Sequence, residues 1–196
     1  MENHEIPVII LAGGKGTRLR GFDSSRPKPL VPVLEKPFLY WLIKSYATQG
    51  FREFVLSTGY LAEQFEAYPW KKEFPDLLIR THAEKDPLGT GGALLDALNW
   101  RPEYSRAWVV NGDTFLPEPL PELLPDHLTR GHDGSPEEAF FCVLENSEVF
   151  DALPNLVAEE NRIIGVMPAV DGNHKYFDAG AACVTKIALE RFFGVA

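Results

Sequence analysis

The chain has 196 residues, 45% of them hydrophobic and 24% charged, the balance of an ordinary globular domain and not of a disordered chain. Its formal net charge of -9 argues against nucleic acid as a non-specific partner, while leaving room for a nucleotide in a local basic pocket. The start, Met1-Glu2-Asn3-His4-Glu5, is unlike a signal peptide and no apolar run reaches membrane-spanning length, so a cytoplasmic protein with no membrane partner is expected. Cys142 and Cys183 both lie in apolar runs, which suits reduced core thiols better than a disulfide or a metal pair.

Residues 6–11 form a short apolar run rich in β-branched side chains, which predicts a buried strand. It leads into Leu11-Ala12-Gly13-Gly14-Lys15-Gly16-Thr17-Arg18. Glycine lacks a Cβ, so a backbone rich in it turns tightly and brings its N–H groups up to an anion. Lys15, Arg18, Arg20, Arg26 and Lys28 add positive charge in and just beyond this turn. A strand, a glycine loop and cations describe a phosphate cradle; a plain turn with solvated basic residues is the alternative. Two familiar phosphate loops do not fit. Gly16 follows Lys15 where a P-loop needs Ser or Thr, and Leu19 stands where a dinucleotide fingerprint begun at Gly14 needs its last glycine. Arg26-Pro27-Lys28-Pro29-Leu30 favours the cradle, because prolines on both sides hold Lys28 in place.

Further on, Pro37 and Gly50 bracket a predicted helix over 37–49, with Phe38, Trp41, Leu42 and Tyr46 on one face as core. A strand over 53–58, a turn at Gly59-Tyr60, a short helix over 61–68 and a strand over 77–81 come next. Strands alternating with helices predict a mainly parallel α/β sheet, whose ligands sit at the carboxyl ends of the strands, where the glycine loop stands. In Glu84-Lys85-Asp86-Pro87-Leu88-Gly89-Thr90-Gly91-Gly92-Ala93, Pro87-Leu88 turns the chain into a helix from about 90 to 98, with Thr90 as its cap. The glycines there permit either close approach of a flat ligand or phosphate, or tight packing of the helix start on a strand. Residues 107–113 are a buried strand ending in Asn111-Gly112-Asp113. Asp113 at a strand's carboxyl end suits Mg2+ beside a triphosphate; a turn aspartate bonding its own backbone is the alternative, and the strand placement favours the metal. A proline-rich stretch then holds a short helix within 120–130 and an exposed loop over 131–138. Strands are expected over 139–145, 162–167 and 179–185, and a closing helix over 187–193. His82, His127, His132 and His174 lack metal-ligand spacing and are expected on the solvated surface.

Together these motifs resemble the sugar-phosphate nucleotidyltransferase family, whose Leu-x-Gly-Gly-x-Gly-Thr-Arg-Leu stands here at 11–19 and whose Pro-Lys-Pro-Leu stands at 27–30. The resemblance implies a Rossmann-like, three-layer α/β fold of the glycosyltransferase-A type with a mixed, mainly parallel sheet, as a single domain over 1–196. It implies that a sugar 1-phosphate attacks the α-phosphate of a nucleoside triphosphate, giving a nucleotide-sugar and pyrophosphate. Leu11, Ala12, Gly13, Gly14, Gly16 and Thr17 would bind the nucleotide, with Asn111 and Gly112 beside them. Arg18 would stabilise the departing pyrophosphate, Lys28 would offset charge between the two anions, and Asp113 would hold Mg2+. Gly89 and Thr90 belong to a stretch that resembles the loop around the nucleotide base. It is most similar to guanylyltransferases acting on heptose or mannose 1-phosphates, as in cell-surface polysaccharide supply. Glu84 would read the donor edge of guanine, since a carboxylate only accepts hydrogen bonds. Uridylyl or cytidylyl transfer to another sugar phosphate or phosphocholine, and a nucleotide-binding module without turnover, are the alternatives. Exposed aromatic residues on the short helices are compatible with a homodimer.

The family pattern fades in the last third. Relatives carry a Glu-Lys pair where this chain has Val166-Met167-Pro168. Tyr176-Phe177-Asp178-Ala179-Gly180 stands where relatives contact the sugar, which makes Asp178 and Gly180 the candidate sugar contacts. Relatives continue into an Asp-Ile-Gly-Thr-Pro segment with a second metal-ligating aspartate, and no such segment precedes Ala196. The expectation is a truncated product or fragment, a metal site completed another way, or an impaired protein.

Overall fold

The computed structural model describes residues 6–14, 25–116, 119–120, 140–145, 156–159, 162–166 and 176–194. Lys15, Gly16, Thr17, Arg18, Arg20, the Cys142 side chain, His127, His132, His174, the loop over 131–138 and, beyond Leu120, the helix expected within 120–130 lie outside the described residues.

Among the described residues the first elements are β1 (Val8–Leu11), a 3-10 turn (Lys28–Leu30), the hairpin strands β2 (Pro32–Val33) and β3 (Lys36–Pro37), and α1 (Phe38–Thr48). Next come β4 (Glu53–Thr58), α2 (Ala62–Ala67), α3 (Trp70–Glu73), β5 (Leu78–Ala83), α4 (Gly89–Trp100) and β6 (Arg106–Asn111). β7 (Phe140–Glu145), β8 (Leu156–Glu159), β9 (Arg162–Val166), β10 (Tyr176–Thr185) and α5 (Lys186–Phe193) complete the described elements. The main sheet runs β5-β4-β1-β6-β10-β8-β9, with β7 on the other edge of β10. From β5 to β6 every pairing is parallel, whereas β10 runs antiparallel to β6, β7 and β8. The fold is thus a mixed α/β sheet whose site-bearing half is parallel, as the alternation of strands and helices predicts.

Side-chain alternation along the strands builds two apolar layers. Val8, Ile10, Phe54, Leu56, Trp108 and Val110 face α1, α2 and α3, meeting Leu39, Leu42, Ile43, Phe65 and Trp70. Ile9, Val55 and Val109 face the other way, onto Leu94, Ala97 and Leu98 of α4, with Leu189 of α5 packed against them. Burying each such side chain stabilises the fold by roughly 1.5–3 kcal/mol. This three-layer sandwich holds the central strands rigidly, so the segments leaving their ends start from fixed positions. No helix among the described residues is long and apolar enough to cross a membrane.

Three expectations need correction. On α1 the buried residues are Leu39, Leu42, Ile43 and Tyr46; Phe38 is only partly buried, and Trp41 lies at the edge, where its indole Nε1 donates to Val33 O at 2.7 Å. Leu39 and Ile43 are four apart and extend the stripe to the side away from Trp41. Thr90 does not cap α4: Leu88 takes the cap position, no side chain bonds there, and the helix begins at Gly89. A positive φ of 69° at Gly89 starts the helix early, without a hydroxyl. His82 is also not solvated. Its side chain is 15% exposed, its Nε2 lies 2.6 Å from Asp96 Oδ2, and its ring stacks on Trp100. The α4 face covers that strand, which composition alone does not reveal.

Candidate active site

The parallel register brings several strand ends level. Leu11 of β1 lies between Ser57 of β4 and Asn111 of β6, and Thr58 lies beside Ala83 of β5. Just past these ends the backbones remain stitched together: Ala12 N donates to Ser57 O at 2.7 Å, Gly112 N to Leu11 O at 2.8 Å, and Glu84 N to Thr58 O at 2.8 Å. Tyr60 N donates to Gly13 O at 3.3 Å. The segments after β1, β4, β5 and β6 thereby frame one cavity of about 730 Å³. Its walls include Leu11, Ala12, Gly13 and Gly14 from the first of these segments, and Lys28 from the 3-10 turn. Glu84, Gly89 and Thr90 line the β5 side, and Asn111 and Asp113 line the β6 side.

Gly13 packs closely against its neighbours. A Cβ there would stand 2.9 Å from Glu84 Oε1 and 3.4 Å from Gly59 N. Glu84 is held from the other side, where its Oε2 accepts from Leu88 N at 3.2 Å. The carboxylate thus lies against the glycine turn while it is bonded to the turn that starts α4. Lys28 and Asp113 meet directly, Nζ to Oδ2 at 2.6 Å, with side chains 34% and 40% exposed. Exposed pairs of this kind contribute no more than about 1 kcal/mol, so both groups are available to an incoming ligand.

Most of the residues singled out in the sequence converge here. Gly112 packs behind the wall through its bond to Leu11 O. Asp178 and Gly180 do not line the cavity. They lie where the register of β10 against β7 slips, between Asp178 and Ala182. Gly180 has a φ of +73°, and a Cβ on it would come within 2.7 Å of Asn111 Nδ2, so it adjoins the β6 end of the site. Gly16, Thr17 and Arg18 lie outside the described residues. Tyr60, Lys85, Asp86 and Pro87 also line the cavity, although the sequence assigned them no role. The signal for Tyr60 was its place: Gly59-Tyr60 comes after β4 as Gly13 comes after β1.

A glycine-bearing turn, a lysine and a carboxylate stand together at the carboxyl ends of parallel strands, the place where open α/β sheets bind their ligands. The chain matches the nucleotidyl transferase family over residues 7–148, and it belongs to that family. It is 41% identical over 116 residues to the D-glycero-alpha-D-manno-heptose 1-phosphate guanylyltransferase of Campylobacter jejuni subsp. jejuni serotype O:2, covering 59% of this chain and 51% of that relative. It is 35% identical over 161 residues to the mannose-1-phosphate guanylyltransferase of Mycobacterium tuberculosis, covering 76% of this chain and 43% of that one. The chain therefore spans about half the length of the curated relatives it matches. Among solved structures, HddC from Yersinia pseudotuberculosis complexed with GMP-PN superposes with a TM-score of 0.75 at 27% identity, covering 92% of this chain and 77% of that one.

Proposed function

We propose that this chain carries the nucleotidyl-transfer site of a sugar-1-phosphate guanylyltransferase, acting on a heptose or mannose 1-phosphate. The observation that carries the reading is the meeting of Gly13, Glu84, Lys28 and Asp113 on one cavity at the strand ends. The names of the relatives, and the guanine nucleotide analogue held by HddC, support guanine over other bases. Glu84 beside Gly13 offers acceptors only, which suits the N–H edge of guanine.

In the proposed reaction an oxygen of the sugar phosphate attacks the α-phosphorus. The bond from that phosphorus to the bridging oxygen breaks, and pyrophosphate leaves with its electrons. No side-chain nucleophile or base is required, because the attacking phosphate is already an anion; alignment and charge neutralisation supply the catalysis. Backbone N–H groups of Gly13, Gly14 and Gly16 bind phosphate oxygens, and Arg18 steadies the departing pyrophosphate. Lys28 exchanges Asp113 for phosphate and lets the two anions approach. Asp113 suits Mg2+, a cation that takes one or two carboxylates together with phosphate oxygens, and Mg2+ supplies charge neutralisation when bound. The products would feed nucleotide-sugar use, in cell-surface polysaccharide for example, from the cytoplasm.

The test is pyrophosphate release with Mg2+, each of the four nucleoside triphosphates and a panel of sugar 1-phosphates. Release with GTP and a heptose or mannose 1-phosphate is expected. Release only with another base would overturn the guanine assignment. Nucleotide binding without release in any combination would leave a binding module in place of the enzyme.

A further inference from the structure

We propose that Gln64 is a positioning residue of this site, holding the segment that carries Lys28; the inference rests on the assignment of Lys28 to the reacting phosphates. Gln64 Nε2 donates to Ser25 O at 2.8 Å, across 39 positions of chain. Ser25 is three residues ahead of Lys28, and downstream of Lys28 the chain is already folded on itself, with Leu30 N donating to Pro27 O at 2.9 Å and Val31 N to Lys28 O at 3.2 Å. Pro27 stiffens the path between and Pro29 fixes the chain just past Lys28, so a displacement at Ser25 is passed to Lys28 and not absorbed. Lys28 Nζ in turn reaches Asp113.

The anchor itself is firm. Phe65, next to Gln64 on α2, is fully buried, and its carbonyl accepts Trp70 Nε1 at 2.8 Å. α2 starts from Leu61, a non-glycine residue with a φ of 54°. Such a conformation is disfavoured and persists where the surroundings demand it, at functional sites above all. The stretch on either side of Leu61 reaches both flanks of the site: Tyr60 N donates to Gly13 O and Gln64 Nε2 donates to Ser25 O. Gln64 is only half-buried, so it contributes little to the core and much to the placement of a backbone carbonyl.

The test uses two substitutions in the full chain. Gln64→Met removes the donor at similar size and unchanged charge. Gln64→Arg restores an N–H at the same distance along the side chain, because arginine Nε occupies the place of Nε2. Acylation of individual lysines is followed by mass spectrometry, with exposed Lys44 as the internal reference. In Gln64→Met the Lys28 rate is expected to rise roughly two- to tenfold against Lys44, the freedom released by one lost hydrogen bond. In the pyrophosphate assay kcat is expected to fall about tenfold with KM for the nucleotide nearly unchanged, since misplacement by an ångström is felt in the transition state. Gln64→Arg is expected to return both towards wild type. Unchanged Lys28 labelling in folded Gln64→Met, or no recovery in Gln64→Arg, would overturn the proposal. If the wild-type chain releases no pyrophosphate, the proposed function fails, and the labelling comparison still decides the place of Gln64.

Discussion

Lys28 and Asp113 are 85 positions apart and 2.6 Å from each other in space. Each could be named from its own motif, but their contact depends on β1 and β6 being neighbours. Lys28→Ala and Asp113→Ala should each lower turnover by about a hundredfold or more while leaving the melting temperature close to wild type, because the pair is too exposed to stabilise much. Near-full activity in both would remove them from the chemistry. Glu84→Gln should weaken the preference for GTP over ATP in competition, since an amide presents a donor where guanine needs acceptors; unchanged base choice would take Glu84 out of the base site. At the far end of the sheet, burial first, and then the Glu53 carboxylate that accepts its hydroxyl, pushes Tyr104 up to about 12. The folded state therefore keeps this proton where an unfolded tyrosine, titrating near about 10, has lost it. The stabilisation is complete below about pH 10 and fades as pH rises towards about 12. Urea unfolding at about pH 9 and about pH 11 should show a larger loss for the wild type than for Tyr104→Phe.

The β2–β3 hairpin went unpredicted because its turn breaks the usual chemistry. Two-residue hairpin turns favour Asn-Gly or similar pairs, which take positive φ easily. Here Leu34 and Glu35 occupy the turn with φ of 48° and 67°, and Leu34 is 81% exposed. The hairpin is held from outside, by the Trp41 indole on Val33 O and by Lys36 bonded to Glu73. Installing an Asn-Gly turn by the double substitution Leu34→Asn with Glu35→Gly should raise stability by about 1–2 kcal/mol, seen as a higher urea midpoint. A lower midpoint would mean that Leu34 and Glu35 have contacts of their own to lose. Elements with strong periodicity behaved differently. β4 spans the residues expected, and α5 differs by one residue at its start, where Thr185 Oγ1 accepts from Ala188 N and Gly194 closes the end with a φ of 66°. β10 exceeds its expected start by three residues, because pairing to β7 and β8 extends it past the apolar run.

For the whole molecule, ligand and fold should be coupled, because the cavity walls come from the segments after β1, β4, β5 and β6. GTP at about a hundred times its Kd should add about 2.7 kcal/mol of stability, read as a raised melting temperature. ATP, CTP and UTP at the same concentration should add less; equal shifts for all four would remove the base preference. The sequence by itself determined the alternation of strands and helices, the apolar interior strands and the motif residues at their ends, since each is written in local periodicity and backbone chemistry. Only the tertiary structure decided which ends stand together, that Glu84 lies against Gly13 and accepts from Leu88 N, that His82 is covered by α4, and that Gln64 reaches Ser25. Those contacts are long-range, and strand order and register set them. Local patterns along the chain carry no record of that order.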